Sequence, residues 1–136
     1  MLVVDTSAVV AALAGRPPDR RLVDRLGTDG DLHAPHLLDV ELLHALRRLV
    51  RTGRLSEERA ADVRADFAEL TVVRYGHEPL ADRAWELRGN LTADDATFVA
   101  LAEALEVPLV TCDARVARAP GHRAAVELFP AARSSR

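Results

Sequence analysis

What most constrains the fold of this chain is an alternation. Short apolar runs, each ending at a polar residue, take turns with longer segments whose apolar positions recur at helical spacing. Leu2-Val3-Val4 ends at Asp5 and is followed by an alanine-rich stretch from Ser7 to Ala14 that reads as a helix. Gly15, Pro17 and Pro18 break it, after which Asp19 to Leu26 can form another helix and Leu32 to Ala34 a second strand. From Leu37 to Arg51, the residues Leu38, Leu42, Leu46, Leu49 and Val50 make one apolar stripe, with Gly53 placed to cap its end. Ser56, Glu57 and Glu58 open a helix that runs to about Leu70, because a serine N-cap and first-turn acids satisfy orphan amides and suit the positive end of the dipole. Thr71 to Val73 reads as a third strand, and a helix containing Trp85 and Leu87 stops near Gly89. Thr92 caps the next helix, Pro108 precedes the strand Leu109 to Thr111, and Val126 to Phe129 reads as a last edge strand.

Strands alternating with helices imply a mainly parallel sheet covered on both faces and joined by right-handed crossovers. The expected fold class is α/β, a three-layer α/β/α sandwich. At 136 residues the chain suits one domain, taken as 1–130 with a frayed tail over 131–136, and such a domain buries roughly two-thirds of the surface its unfolded form exposes. Cys112 is the single cysteine, so no internal disulfide is possible and a reducing compartment fits. No apolar run approaches the roughly 20 residues of a membrane span, and Asp5 falls where a secretory signal would continue apolar. A cytoplasmic protein with no membrane partner is expected. Net charge is −3, so bulk electrostatics does not draw the chain to nucleic acid, and any such contact needs a local basic patch.

Four of the strand–helix junctions carry an acid. Asp5 follows the first strand, Asp113 follows Leu109 to Thr111, and Glu41 and Asp95 are expected in the first turns of their helices. In an open parallel sheet ligands bind beyond the carboxyl ends of the strands, where these junctions gather. Each acid also has a local explanation. Asp5 and Asp113 can cap the helices that follow them, Thr92-Ala93-Asp94-Asp95 can pass for a capping box, and Glu41 can serve as a favourable charge near a helix start. Taken together the four are harder to explain so, since converging carboxylates repel by about 4 kcal/mol per close pair at an effective dielectric near 20. Hard cations such as Mg2+ or Mn2+ take oxygen ligands and would offset that repulsion, and a phosphodiester is the natural substrate for such a centre.

In this order and spacing the residues resemble a known family, the PIN domains, and within it the VapC-type toxins of bacterial toxin–antitoxin pairs. The likeness runs through Val3-Val4-Asp5-Thr6-Ser7-Ala8, Asp39-Val40-Glu41-Leu42 with an arginine-rich stretch downstream, Leu91-Thr92-Ala93-Asp94-Asp95-Ala96, and Leu109-Val110-Thr111-Cys112-Asp113-Ala114-Arg115, with 18 residues from Asp95 to Asp113. The resemblance implies that Asp5, Glu41, Asp95 and Asp113 are the catalytic, metal-holding quartet of a Mg2+- or Mn2+-dependent endoribonuclease. It implies that Ser7 or Thr6 supports Asp5 or the metal water, and that Thr111 orients Asp113. It also implies a homodimer and a cognate antitoxin that inserts a segment into the acidic groove. Two departures stand out: Asp94 occupies a position often aromatic in the family, and Arg115 and Val116 fill a region where some members carry a further acid or amide. Asp94 competes with Asp95 for the third place; Ala96 and the spacing to Asp113 favour Asp95, leaving Asp94 a supporting place or a solvent-facing one.

Arg47, Arg51 and Arg54 recur at spacings of four and three, while Arg48 stands seven residues after Glu41 and close to its azimuth. Such a ridge could contact RNA phosphates, or could be a solvated face opposite the leucine stripe. His33, His36 and His44 fit no closed zinc pattern, and His44 reads as a surface residue although it lies one turn after Glu41. Trp85, Tyr75 and Phe98 fall at apolar positions and are expected in the core. Nucleotide-binding glycine loops are absent. A phosphoacceptor receiver domain also gathers acids at strand ends, but that family relies on a lysine and this chain has none. The stronger alternative to a nuclease is a PIN-like module that binds RNA or protein without cutting.

Overall fold

The computed structural model describes residues 1–28 and 30–131. Five strands, β1 (Leu2–Val4), β2 (Leu32–Pro35), β3 (Val72–Tyr75), β4 (Leu109–Thr111) and β5 (Val126–Leu128), form one sheet in the order β3-β2-β1-β4-β5, with every pair parallel. The helices are α1 (Thr6–Ala14), α2 (Arg20–Thr28), α3 (Leu37–Arg51), α4 (Glu57–Glu69), α5 (Ala81–Glu86), α6 (Ala93–Leu105) and α7 (Ala114–Arg118), with a 3-10 turn at Glu78–Leu80 before α5. From β1 to β3 the chain moves one way across the sheet, and from β3 through β4 to β5 it moves back. Right-handed crossovers therefore put α1 to α4 on one face and α5 to α7 on the other. The α/β sandwich expected from the alternation is the fold observed.

Both central strands are buried along their whole length, because helices cover each face. That is why Leu2-Val3-Val4 and Leu109-Val110 are uninterrupted apolar runs rather than alternating ones. On α3, Leu38, Leu42 and Leu46 pack into the core, each worth roughly 2 kcal/mol of transfer free energy. Helix α6 is buried over Ala96 and Phe98 to Ala102, which makes it the best-covered helix on its face. Ser56 accepts the Arg59 amide, and Gly53 takes a left-handed φ of 74° just beyond α3, as its place in the sequence predicts. Among the described residues no helix is long and apolar enough to cross a membrane.

Three expectations are corrected. The third strand lies at Val72–Tyr75 rather than Thr71 to Val73, because Arg74 and Tyr75 pair with Ala34 and Pro35 and extend the ladder. Glu41 is not in a first helical turn. Helix α3 begins at Leu37, its first-turn acid is Asp39, and Asp39 is clasped by Arg74 through bonds of 2.7 and 2.9 Å. Trp85 is 67% exposed rather than buried. Helix α5 is a single short element whose inward contacts fall to its flanks, Leu80 and Leu87, so Trp85 points outward beneath the Arg88 guanidinium at 4.3 Å. Phe98 is in the core, and Tyr75 is half-buried with its hydroxyl 2.7 Å from Nδ1 of the buried His33. Residues 132–136 of the expected tail lie outside the described residues.

Candidate active site

Strands β1 and β4 are neighbours, yet the chain leaves them in opposite directions, to β2 and to β5. The crevice beyond their carboxyl ends is the switch point at which an open α/β sheet binds ligands. Asp5 and Asp113 stand at its two sides. Asp5 is the N-cap of α1 and its amide bonds to Val110 O of β4 at 3.1 Å. Its Oδ1 accepts from the Ser7 hydroxyl at 2.6 Å and from the Ala8 amide at 3.0 Å, and its Oδ2 accepts from the Thr111 hydroxyl. Ser7 Oγ also accepts the Cys112 amide at 2.9 Å, and Thr111 Oγ1 the Asp113 amide at 3.0 Å. Each hydroxyl has one proton, and Asp5 takes both, so the 3.3 Å approach of Ser7 to Thr111 joins two acceptors already used. Two loops are thereby locked together through one carboxyl. Burial nevertheless raises the Asp5 pKa, outweighing these bonds, and the charge of Asp95 adds to the rise.

Glu41 enters from α3, held by the Thr6 hydroxyl at 2.7 Å. Its carboxyl is pushed up to about 7, first by burial, then by a hydrogen bond with the Asp94 carboxyl and the charges of Asp94 and Asp95, against the lowering effect of Thr6. Asp94 and Asp95 come together from the first turn of α6, where Thr92 Oγ1 accepts the Asp95 amide at 3.2 Å. The Asp95 pKa is raised, mainly by burial, with Asp113 and Asp94 adding to the rise and Arg115 opposing it. Asp113 differs: it caps α7 and is clasped by Arg115, Nε to Oδ1 at 3.2 Å and Nη2 to Oδ2 at 2.9 Å, which holds its carboxyl below the usual range.

The four predicted acids are thus brought to one edge of the sheet, with Asp94 as a fifth. Of the supporting residues, Ser7 serves Asp5, as one of the two alternatives had it. Thr6 serves Glu41 and not Asp5, while Thr111 spends its proton on Asp5 and reaches Asp113 through that residue's amide. The cavity at this edge has a volume of about 770 Å³. Glu41, Asp94 and Asp113 line it, with Arg48 and Arg115, whereas Arg47, Arg51 and Arg54 do not. His44 is exposed, as its sequence context predicts, but it lines the cavity, and so does Cys112, whose thiol burial pushes up to about 11. Arg115 was legible only as a departure from a family pattern; its place two residues after a helix cap is the local signal for its pairing with Asp113.

Among the described residues no group of three or more His, Cys, Asp or Glu side chains stands together in a way that could hold a metal ion. The chemistry of the acids is nonetheless the kind a hard cation takes. All the donors are carboxylate oxygens, and three of the carboxyls have pKa values raised by burial and by one another, which a bound dication would relieve.

The sequence matches the family model described as PIN domain over residues 2–122. Ribonuclease VapC1 of Mycobacterium tuberculosis is 48% identical over 120 residues, covering 88% of this chain and 90% of that protein. Two crystal structures share the fold: PAE2754 from Pyrobaculum aerophilum, with TM-score 0.68 and 24% identity over 92% of this chain and 81% of that one, and VapBC2 from Rickettsia felis bound to a DNA fragment from its promoter, with TM-score 0.68 and 14% identity over 93% and 97%. The chain belongs to the PIN-domain family, on the branch that holds the VapC proteins.

Proposed function

We propose that this protein is a metal-dependent endoribonuclease, the toxin of a toxin–antitoxin pair, with Asp5, Glu41, Asp95 and Asp113 as its catalytic acids. The observation that carries the reading is the gathering of five carboxyls from four separate chain segments at one switch point, three of them with raised pKa and only Asp113 matched by an arginine. Mg2+ or Mn2+ would be held by Asp5, Glu41, Asp95 and Asp113, with Asp94 as a further oxygen donor beside Glu41. When bound, the metal supplies Lewis acidity toward a phosphoryl oxygen and a water acidic enough to attack phosphorus. The protein's own part is positioning. Ser7 and Thr111 fix both oxygens of Asp5, Thr6 fixes Glu41, and α6 delivers Asp94 and Asp95 from one turn. Since Glu41 is half-protonated near pH 7 without metal, loading the site should release protons.

RNA as substrate is supported by the name of the relative VapC1, and the antitoxin by the two-component VapBC2 assembly. A cytoplasmic homodimer, inhibited by a segment of the antitoxin in the acidic groove, completes the proposal. One observation favours the second reading, a PIN-type module that binds without cutting: Arg115 already neutralises Asp113. The deciding experiment incubates purified, partner-free protein with total cellular RNA and manganese or magnesium, beside EDTA and Asp95→Asn controls. Discrete fragments only in the metal-containing wild-type lane support the nuclease. Intact RNA in every lane, with metal binding confirmed by calorimetry, supports the non-cutting module.

A further inference from the structure

The cavity has a second half that the acids do not use. Its walls are two helical stripes, Val10 and Ala11 on α1 facing His44, Ala45, Arg48 and Leu49 on α3. Each stripe starts at the acidic edge, the first from Thr6 and Ser7 and the second from Glu41. Ala45 and Arg48 follow Glu41 by four and seven residues, and so share its azimuth. At 1.5 Å of rise per residue the Arg48 Cα stands about 10 Å along the axis from that of Glu41. That is the reach of a neighbouring nucleotide rather than of the phosphate at the acids.

Arg48 is exposed and forms no ion pair among the described residues, whereas Arg25, Arg74, Arg83 and Arg115 each clasp a carboxylate. An unmatched guanidinium beside a wall of small apolar side chains complements a flat base joined to an anion. We propose that this half of the cavity is a subsite for the nucleotide that flanks the cleaved bond of single-stranded RNA, with Arg48 on its phosphate and the Val10, Ala11, Ala45 and Leu49 surface against its base. The proposal rests on the ribonuclease reading and adds a residue-level account of how the chain beyond the acids is held. Arg47, Arg51 and Arg54, outside the cavity, contribute long-range attraction and no contact within the subsite.

The test is equilibrium binding of a fluorescent single-stranded RNA oligonucleotide of mixed sequence to the full chain in calcium, followed by anisotropy, with a gel confirming that the RNA stays intact. Wild type, Arg48→Ala, Arg48→Lys and Ala45→Phe are compared over a range of salt, with thermal melts confirming that each is folded. Arg48→Ala should weaken binding roughly tenfold, the scale of one charge-assisted hydrogen bond. It should also lower the slope of log affinity against log salt by about 0.7, the value for one phosphate contact on a single strand. Arg48→Lys should restore the slope but only part of the affinity, since it lacks the bidentate fork. Ala45→Phe, which fills the apolar wall and leaves every charge in place, should weaken binding without changing the slope.

Affinities of Arg48→Ala and Ala45→Phe that both stay within about twofold of wild type, the range of an uninvolved surface change, overturn the subsite. So does a loss confined to binding of a partner protein, which would make the groove a peptide site. If the wild type binds RNA in the expected manner but never cuts it with manganese, the ribonuclease reading falls and the subsite stands as a binding site. If it cuts and neither variant alters binding, the subsite falls alone. If it neither binds nor cuts RNA, both fall.

Discussion

The carboxylates at the carboxyl edge of the sheet and those around its flanks are the same side chains in opposite electrostatic settings. On the flanks three are firmly matched. Arg83 holds Glu103 at 2.7 and 3.1 Å, Arg25 holds Glu127 at 2.7 and 3.1 Å, and Arg74 holds Asp39. Two of these pairs tie elements well apart in the chain, α2 to β5 and α3 to β3. At the edge, Asp5, Glu41 and Asp95 have no clasping cation among the described residues, and burial raises their pKa values instead of lowering them. The Glu103 carboxyl goes the other way, held down chiefly by Arg83. The fold thus matches charge at these flank ties and leaves it unmatched at the carboxyl edge of the sheet.

The largest effect should come from removing one charge at each place. Asp95→Asn is expected to lower metal-dependent RNA cleavage about a thousandfold, or ~4 kcal/mol of barrier, with a normal circular dichroism spectrum. Glu103→Gln should leave cleavage near wild type and instead lower the free energy of unfolding in urea by about 2 kcal/mol, since the Glu103 side chain is only 4% exposed and leaves Arg83 partly unpaired. Equal activity losses in the two variants would dissolve the contrast between edge and flank.

A pH titration sharpens the same contrast. Glu41, with an ordinary value of 4.5 and a folded value of about 7, contributes stability that is full below pH 4.5 and is lost as pH rises through 7. Asp5 and Asp95, also raised, act in the same direction. Glu103 and Asp113, lowered, act in the opposite one: their contribution is present above the ordinary carboxylate pKa and is lost as pH falls. Metal-free protein should therefore melt at a lower temperature at pH 8 than at pH 6, manganese should remove that difference, and Glu41→Gln should reduce it. A metal-free melting temperature that rises over this range would contradict the assignment.

Smaller effects follow from the exposed cations. Arg115→Ala frees Asp113 and should tighten manganese binding by about threefold in calorimetry, the modest scale of an exposed ion pair. Trp85→Ala should change the unfolding free energy by no more than about 0.5 kcal/mol, because the ring is 67% exposed. A large loss there would mean that the ring is covered by something in solution.

Much of this was legible in the chain itself. The central strands announce themselves as uninterrupted apolar runs because both of their faces are covered, and Ser56, Thr92, Asp5 and Asp113 mark helix starts because a short polar side chain there satisfies an amide that the helix cannot. Those are local requirements, so the sequence carries them locally. Asp5, Asp95 and Asp113 could be named because each falls at a helix start, and the parallel fold brings such starts together, whereas Glu41 lies a turn inside α3. The start of α3, the exposure of Trp85 and the added Arg74–Tyr75 rungs of β3 were not legible, since each depends on which neighbour reaches a surface first. Nor could the sequence assign Thr6 to Glu41 across 35 residues or Thr111 to Asp5 across 106. It could not show that Arg48 alone of its ridge enters the cavity. By itself the sequence determined which residues could build an acidic edge. Tertiary structure decided which of them share a hydroxyl or a cation, because those energies depend on distance and burial, and neither exists until the chain has folded.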